Sequence, residues 1–146
     1  MKRSEALQPL SRQHHQGLSI ALKLRRATPD TARPARDTFL DFWASEGQSH
    51  FRAEEELLLP AFAAHAPADH EAIVRVLVEH VDLRRRSSEL ARSDDHALEE
   101  LRELGERLER HIRHEERVLF PLIEDSLPED ELERLAAAVE EAEARG

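Results

Sequence analysis

Apolar residues recur every three or four positions through most of the chain, the period of helices buried along one face, and polar breaks divide the pattern into five stretches. Leu7, Leu10, Leu18, Ala21 and Leu22 mark the first, over roughly 4–26. Thr28 to Pro34, with two prolines and cap-type residues, reads as a helix-to-helix turn. The second stretch, about 34–64, carries a seam of Phe39, Trp43, Glu46, His50, Glu54 with Ala53, Leu57 and Ala61. Pro60 removes a helical hydrogen bond, which predicts a kink one turn beyond His50 and Glu54. Ile73, Val76, Leu77, His80 and Leu83 define the third stretch, about 69–92. The fourth, about 96–127, follows cap-type residues Ser93–Asp95 and runs Leu101, Leu104, Leu108, His111, Glu115, Leu119 with Val118, and Leu122. Ser126-Leu-Pro-Glu129 has the pattern of a capping box opening a short acidic helix over about 128–144. Four amphipathic helices on short turns predict an all-α fold, an antiparallel up-down-up-down four-helix bundle with a short C-terminal helix, as one domain over 1–146.

The seams contain residues that do not belong in an apolar face. His14 lies inside the first, His50 and Glu54 inside the second, His80 inside the third, and His111 and Glu115 inside the fourth. Two of these pairs belong to a repeat. His50-Phe-Arg-Ala-Glu-Glu-Glu-Leu-Leu-Leu-Pro-Ala-Phe62 recurs 61 residues later as His111-Ile-Arg-His-Glu-Glu-Arg-Val-Leu-Phe-Pro-Leu-Ile123, with His, Arg, both Glu, Leu and Pro identical at matching positions. In each copy a histidine precedes a glutamate by four residues, so a helix sets both side chains on one face, one turn apart. His15 and Glu46 are further candidates. His15 sits about a quarter turn from His14 and supplements or replaces it if the helix is rotated, whereas Glu46, one turn before His50, reads either as an acceptor behind a ligand histidine or as a glutamate reaching solvent. His114 and Glu116 point off the seam, to an outer shell or the surface. His65, His70 and the run Arg84–Arg86 read as solvated, with one arginine laying its stem on the bundle.

Burying two carboxylates among four imidazoles without a cation costs several kcal/mol per charge, and a metal centre removes that cost while using every donor. Imidazole and carboxylate together suit iron, manganese or zinc. Two six-coordinate ions offer about twelve positions, of which the imidazoles, two bridging carboxylates and a bridging oxygen take about ten, leaving room for solvent or a small ligand. A single zinc saturates at about four ligands and strands the remainder.

Composition narrows the field. The 146 residues are 40% apolar and 36% charged, as in a helical protein able to bury a core. Absence of cysteine excludes disulfides, iron–sulfur ligation and thiol catalysis, and absence of tyrosine excludes phenolate ligation. A formal charge of −10 with no separate basic stripe opposes nucleic acid and anionic membranes as partners. The first residues lack a hydrophobic signal core and the apolar run Leu57–Ala64 is too short to span a bilayer, which leads us to expect a cytoplasmic protein.

No histidine has a glutamate three residues before it, so the Glu-x-x-His arrangement of ferritin-like di-iron proteins is missing, as is His-Glu-x-x-His. The His-x-x-x-Glu order with its Glu-Glu and Leu-Phe-Pro continuation instead resembles the hemerythrin-like HHE cation-binding family, over about Leu7 to Leu127. In that similar pattern the first helix supplies a histidine (His14 or His15), the second His50 and Glu54, the third Glu79-His80, and the fourth His111 and Glu115. The resemblance implies a non-haem di-iron centre bridged by two carboxylates. Arg84 stands four residues after His80, where oxygen-carrying hemerythrins have a second histidine, and Glu115 follows its histidine by four residues rather than five. The spacing looks more like bacterial relatives concerned with iron-centre repair and iron or oxygen sensing. The resulting expectation is a metal protein binding a small diatomic or anionic ligand (dioxygen, nitric oxide or peroxide) for sensing, storage or detoxification. An iron store or donor and a di-iron peroxidase or reductase are the competing expectations, and the sequence names no protein partner.

Overall fold

Five helices form in the order that the hydrophobic pattern predicts. The computed structural model describes residues 2–145, and among them the chain builds α1 (Gln8–Arg25), α2 (residues 32–63), α3 (Glu71–Arg92), α4 (residues 98–126) and α5 (Glu129–Arg145), with no strand. Pro9 opens α1 where its missing N–H costs nothing. Residues 4–7 form a separate turn, so α1 begins later than its periodicity suggests. Thr28 and Thr31 bond to each other across the next turn, and α2 starts at Ala32 with Pro34 inside its first turn. His70, expected in solvent, instead caps α3: its Nδ1 accepts the Ala72 N–H at 3.1 Å and its ring meets Phe62 edge-on. Ser93, expected to cap α4, takes the Asp95 N–H and closes the connection, while α4 itself begins at Leu98 with Glu99 and Glu100 at its positive end.

Contacts between α2 and α3 pair Phe62 with His70, Glu55 with His80, and Arg36 with the Leu90 carbonyl, so these helices run in opposite directions. α3 and α4 do the same, pairing Glu79 with His111 and Asp82 with Arg107. α1 meets α4 closely at Gly105, where a Cβ would fall 2.6 Å from the Ala21 carbonyl oxygen and 2.8 Å from the Arg25 nitrogen. Only hydrogen fits there.

The kink expected at Pro60 takes a different form and starts earlier. α2 stays continuous but widens into π-helical turns at Trp43–Gly47 and Glu54–Leu58, and α4 does so at Glu115–Leu119. In the repeat, the Leu59 N–H reaches the Glu54 carbonyl and the Phe120 N–H reaches the Glu115 carbonyl, five residues back in each case. Pro60 and Pro121 follow immediately and have no N–H to contribute, which ends the wide turn. Each π turn inserts one residue and moves the buried face by about a quarter turn. Leu58, Leu59 and Phe62 therefore fill the core while Leu57 and Ala61 pack at its edge, and Phe120 and Ile123 join the expected Leu119 there, with Val118 41% exposed. Leu77 of α3, expected on the core face, is likewise outside, 41% exposed.

The buried apolar residues form two layers. One contains Leu7, Leu10, Leu58, Phe62, Phe120 and Ile123 and is closed by Leu135 and Val139 of α5; the other contains Leu24, Phe39, Trp43, Phe51, Leu104 and Leu108. Each fully buried Leu, Ile or Phe contributes roughly 1.5–3 kcal/mol, so these layers dominate stability and can carry a polar layer between them. His65 Nε2 hydrogen-bonds with Glu131 and so ties α5 to the turn after α2. No helix among the described residues is long and apolar enough to cross a membrane.

Candidate metal centre

Between the two apolar layers lie His14, His50, Glu54, His80, His111 and Glu115, all buried. α2 sets His50 Nε2 at 3.0 Å from Glu54 Oε2, and α4 sets His111 Nε2 at 3.2 Å from Glu115 Oε2, as the one-turn spacing requires. α1 brings His14 Nε2 to 2.9 Å from Glu115 Oε1 and 3.1 Å from His50 Nε2, and α3 brings His80 Nε2 to 3.0 Å from Glu54 Oε1. Two groups result: His14, His50, Glu54 and Glu115, and Glu54, His80, His111 and Glu115. Within each group one ligand atom per residue lies within 4.8 Å of all the others, and both carboxylates are common to the two groups.

The donor chemistry fits a cation. His80 Nε2, His111 Nε2, Glu54 Oε1 and Glu115 Oε2 are buried without a hydrogen-bond partner, close together but out of line for bonding to one another. Orphaned buried polar atoms are uncommon because each costs about 1–3 kcal/mol, and four in one place are resolved by a shared positive charge. Without one, the two buried carboxyls are driven apart. Burial and the Glu115 charge push Glu54 well above the usual carboxylate range. Burial acts in the same direction on Glu115, but the His111 imidazole and a hydrogen bond from His14 draw it well below. Burial would also lower His111, yet Glu115 and Glu79 outweigh it and raise this imidazole to about 9. Burial and the neighbouring imidazoles lower His50 well below its ordinary value.

A second ring of residues fixes the histidines. The Nδ1–H groups donate to Glu116 from His14 at 2.6 Å, to Gln13 from His50 at 2.7 Å, to Glu55 from His80 at 2.6 Å and to Glu79 from His111 at 2.8 Å. A carboxylate only accepts, so each Nδ1 facing one carries the proton and each Nε2 faces the centre. Arg3 and Ser11 hold Glu116, Arg84 holds Glu55 and Arg75 holds Glu79. Arg84 also lies over the Phe51 ring, which stacks flat on His80 with centroids 3.8 Å apart. Beside the cluster, Phe39, Phe42, Trp43, Phe51, Leu83 and Ile112 enclose an apolar cavity of about 20 Å³ that His50 and His111 also line.

The structure places neighbouring candidates differently. His14 faces the cluster, and His15 is exposed. Glu46 is half-buried but meets no ring nitrogen; Gln13 occupies the place proposed for it behind His50. Glu116 touches His14, whereas His114 stays outside the centre. The supporting roles of Gln13, Glu55 and Glu79 are not apparent from periodicity. Each adjoins a seam ligand in sequence, and the 100° step of a helix turns it toward a neighbouring helix. The repeated Glu-Glu pairs, 54–55 and 115–116, are the readable trace of that arrangement.

No curated protein and no solved structure matched the chain in comparison. The family described as Hemerythrin HHE cation binding domain matches residues 7–123, which include all six buried histidines and glutamates of the cluster together with Gln13, Glu55, Glu79 and Glu116. The chain belongs to the hemerythrin HHE cation-binding family.

Proposed function

We propose that this protein is a non-haem di-iron protein that binds a small diatomic or anionic ligand for sensing, storage or detoxification. His14 and His50 would hold one ion, His80 and His111 the other, with Glu54 and Glu115 shared between them. The observation that carries this reading is the pair of four-residue groups with both carboxylates in common. When bound, such a centre supplies Lewis acidity and accessible redox states. The chain's own contribution is to fix imidazole tautomers through the Nδ1 partners, exclude bulk water with Phe51 and Phe120, and leave a small apolar space beside His50 and His111. About 20 Å³ admits a molecule of water or diatomic size.

Metal analysis and an optical spectrum of the iron-reconstituted protein test the proposal. About two irons per chain with near-ultraviolet absorption of a bridged ferric pair are expected. A ceiling of one iron without that absorption would refute the di-iron assignment, and preferential retention of manganese or zinc in competition would refute iron.

A further inference from the structure

We propose that the two halves of the centre hold their cations unequally, the His14–His50 half being the exchangeable one, and that α5 controls it through Gln13. This rests on the metal-binding reading above. Gln13 and Glu79 occupy matching places: each precedes the inward histidine of its helix and accepts the Nδ1–H of the histidine on the next helix, His50 and His111 respectively. A carboxylate behind an imidazole strengthens it as a ligand, and its removal typically costs 10–100-fold in metal affinity. Both histidines of the His80–His111 half have carboxylates behind them, Glu55 and Glu79. His50 has only a neutral amide.

Preorganisation points the same way. The four orphaned atoms lie on the His80–His111 side, His80 Nε2 beside Glu54 Oε1 and His111 Nε2 beside Glu115 Oε2, so that side's ligand atoms are not committed to hydrogen bonds. In the other half His14 Nε2 is bonded to Glu115 and His50 Nε2 to Glu54, contacts a cation must first displace. Access differs as well. A cavity of about 290 Å³ between α2 and α5 reaches His50 past Gln13, Glu46 and Glu143, two of them acidic. The cavity of about 130 Å³ beside Glu79 sets Arg75, Arg107 and Arg110 against Glu79 and Asp82, a net positive lining, and reaches no histidine of the centre.

The amide of Gln13 can face His50 either way round, and α5 determines which. Gln13 Nε2 donates to Glu143 Oε1 at 3.1 Å, leaving Oε1 to accept from His50. A reversed amide would set two donors against each other. Glu143 therefore acts on His50 through Gln13, a positioning residue, and α5 lies beyond the family match at residues 7–123.

The test uses the full chain loaded anaerobically with ferrous iron and challenged with a colorimetric ferrous chelator. Wild type is expected to release iron in two phases differing by about tenfold or more in rate. The exchange Gln13→Glu with Glu143→Gln preserves composition and the connecting hydrogen bond while putting the charge against His50, and should slow the fast phase toward the slow one. Glu143→Ala should accelerate only the fast phase, and Glu79→Gln should turn the slow iron into a second fast one. Single-phase release of two irons from wild type would overturn this inference alone, as would a fast phase that ignores both the exchange and Glu143→Ala. A wild-type chain that binds no iron would overturn the metal-centre reading with it.

Discussion

Gly105→Ala sets two known magnitudes against each other at the closest approach of α1 and α4. Alanine in a helix interior is favoured over glycine by about 1 kcal/mol. The new methyl would lie 2.6 Å from the Ala21 carbonyl oxygen and 2.8 Å from both the Arg25 nitrogen and the Leu24 Cβ. Carbon–oxygen contacts normally settle near 3.3–3.6 Å, so the helices must part by roughly 0.7 Å. The obstacles include backbone atoms of α1, which cannot swing aside as a side-chain end does. Overpacking of this kind costs about 1–3 kcal/mol, giving a net loss of up to about 2 kcal/mol. In a chain this size that is a fall of up to about 6 °C in Tm. Gly17→Ala is the matched control, because its methyl meets Ile112 Cδ1 at 2.8 Å, the tip of a side chain that can change rotamer. It should leave Tm unchanged or raise it by a few tenths to 1 kcal/mol equivalent, roughly 1–3 °C. Both are measured by circular dichroism melting of metal-free protein, which removes ligation from the comparison. A Gly105→Ala protein melting at or above wild type would refute the close-packing argument.

His111→Leu should lower the iron content of the reconstituted protein by about one ion per chain, read by metal analysis. Glu46→Gln should leave iron retention within about twofold of wild type, because Glu46 meets no ring nitrogen; a tenfold loss in chelator challenge would place it behind a ligand after all. Metal uptake near pH 7.5 should release protons into weak buffer, detectable with an indicator dye, since His111 rests at about 9 before binding and must give up its proton to ligate. The sign extends to stability. His111 is raised in the folded metal-free chain, so its contribution is complete below its unfolded value of about 6.5 and lost as pH rises through about 9, whereas protons compete with metal as pH falls. The gap in Tm between metal-loaded and metal-free protein should widen from pH 6.5 to 9, and a constant or narrowing gap would contradict it.

Sequence periodicity identifies the inward residues of this fold well because a histidine or glutamate inside a leucine seam violates a regular pattern. His14, His50, His80 and His111 are legible in that way, each on its own helix. Position beyond Pro60 and Pro121 is not, because the π turns at Glu54–Leu58 and Glu115–Leu119 add a residue without a propensity signal of their own. The cores consequently use Leu58, Leu59 and Phe62, and Phe120 and Ile123 beside Leu119, where a 3.6-residue count selects Leu57, Ala61, Leu119 with Val118, and Leu122. Gln13, Glu55 and Glu79 are hidden for another reason. They act on histidines of adjacent helices, and a pattern within one helix carries no information about which neighbour a flanking side chain will meet. His70 was obscured by its chemistry, since imidazole is not among the usual capping side chains.

The crossing of support between the helices also bears on how such a chain could arise. Glu55 of the first helix pair serves His80 of the second, and Glu116 of the second serves His14 of the first. A gene encoding one pair alone would complete the centre only by assembling two identical products about a two-fold axis, and in that homodimer the two positions matching Gln13 and Glu79 would have to mutate together. Duplication and fusion into one reading frame removes the constraint. A single polypeptide can keep a carboxylate on one side and an amide on the other, so the difference between Gln13 and Glu79 is open to one chain and closed to a symmetric homodimer.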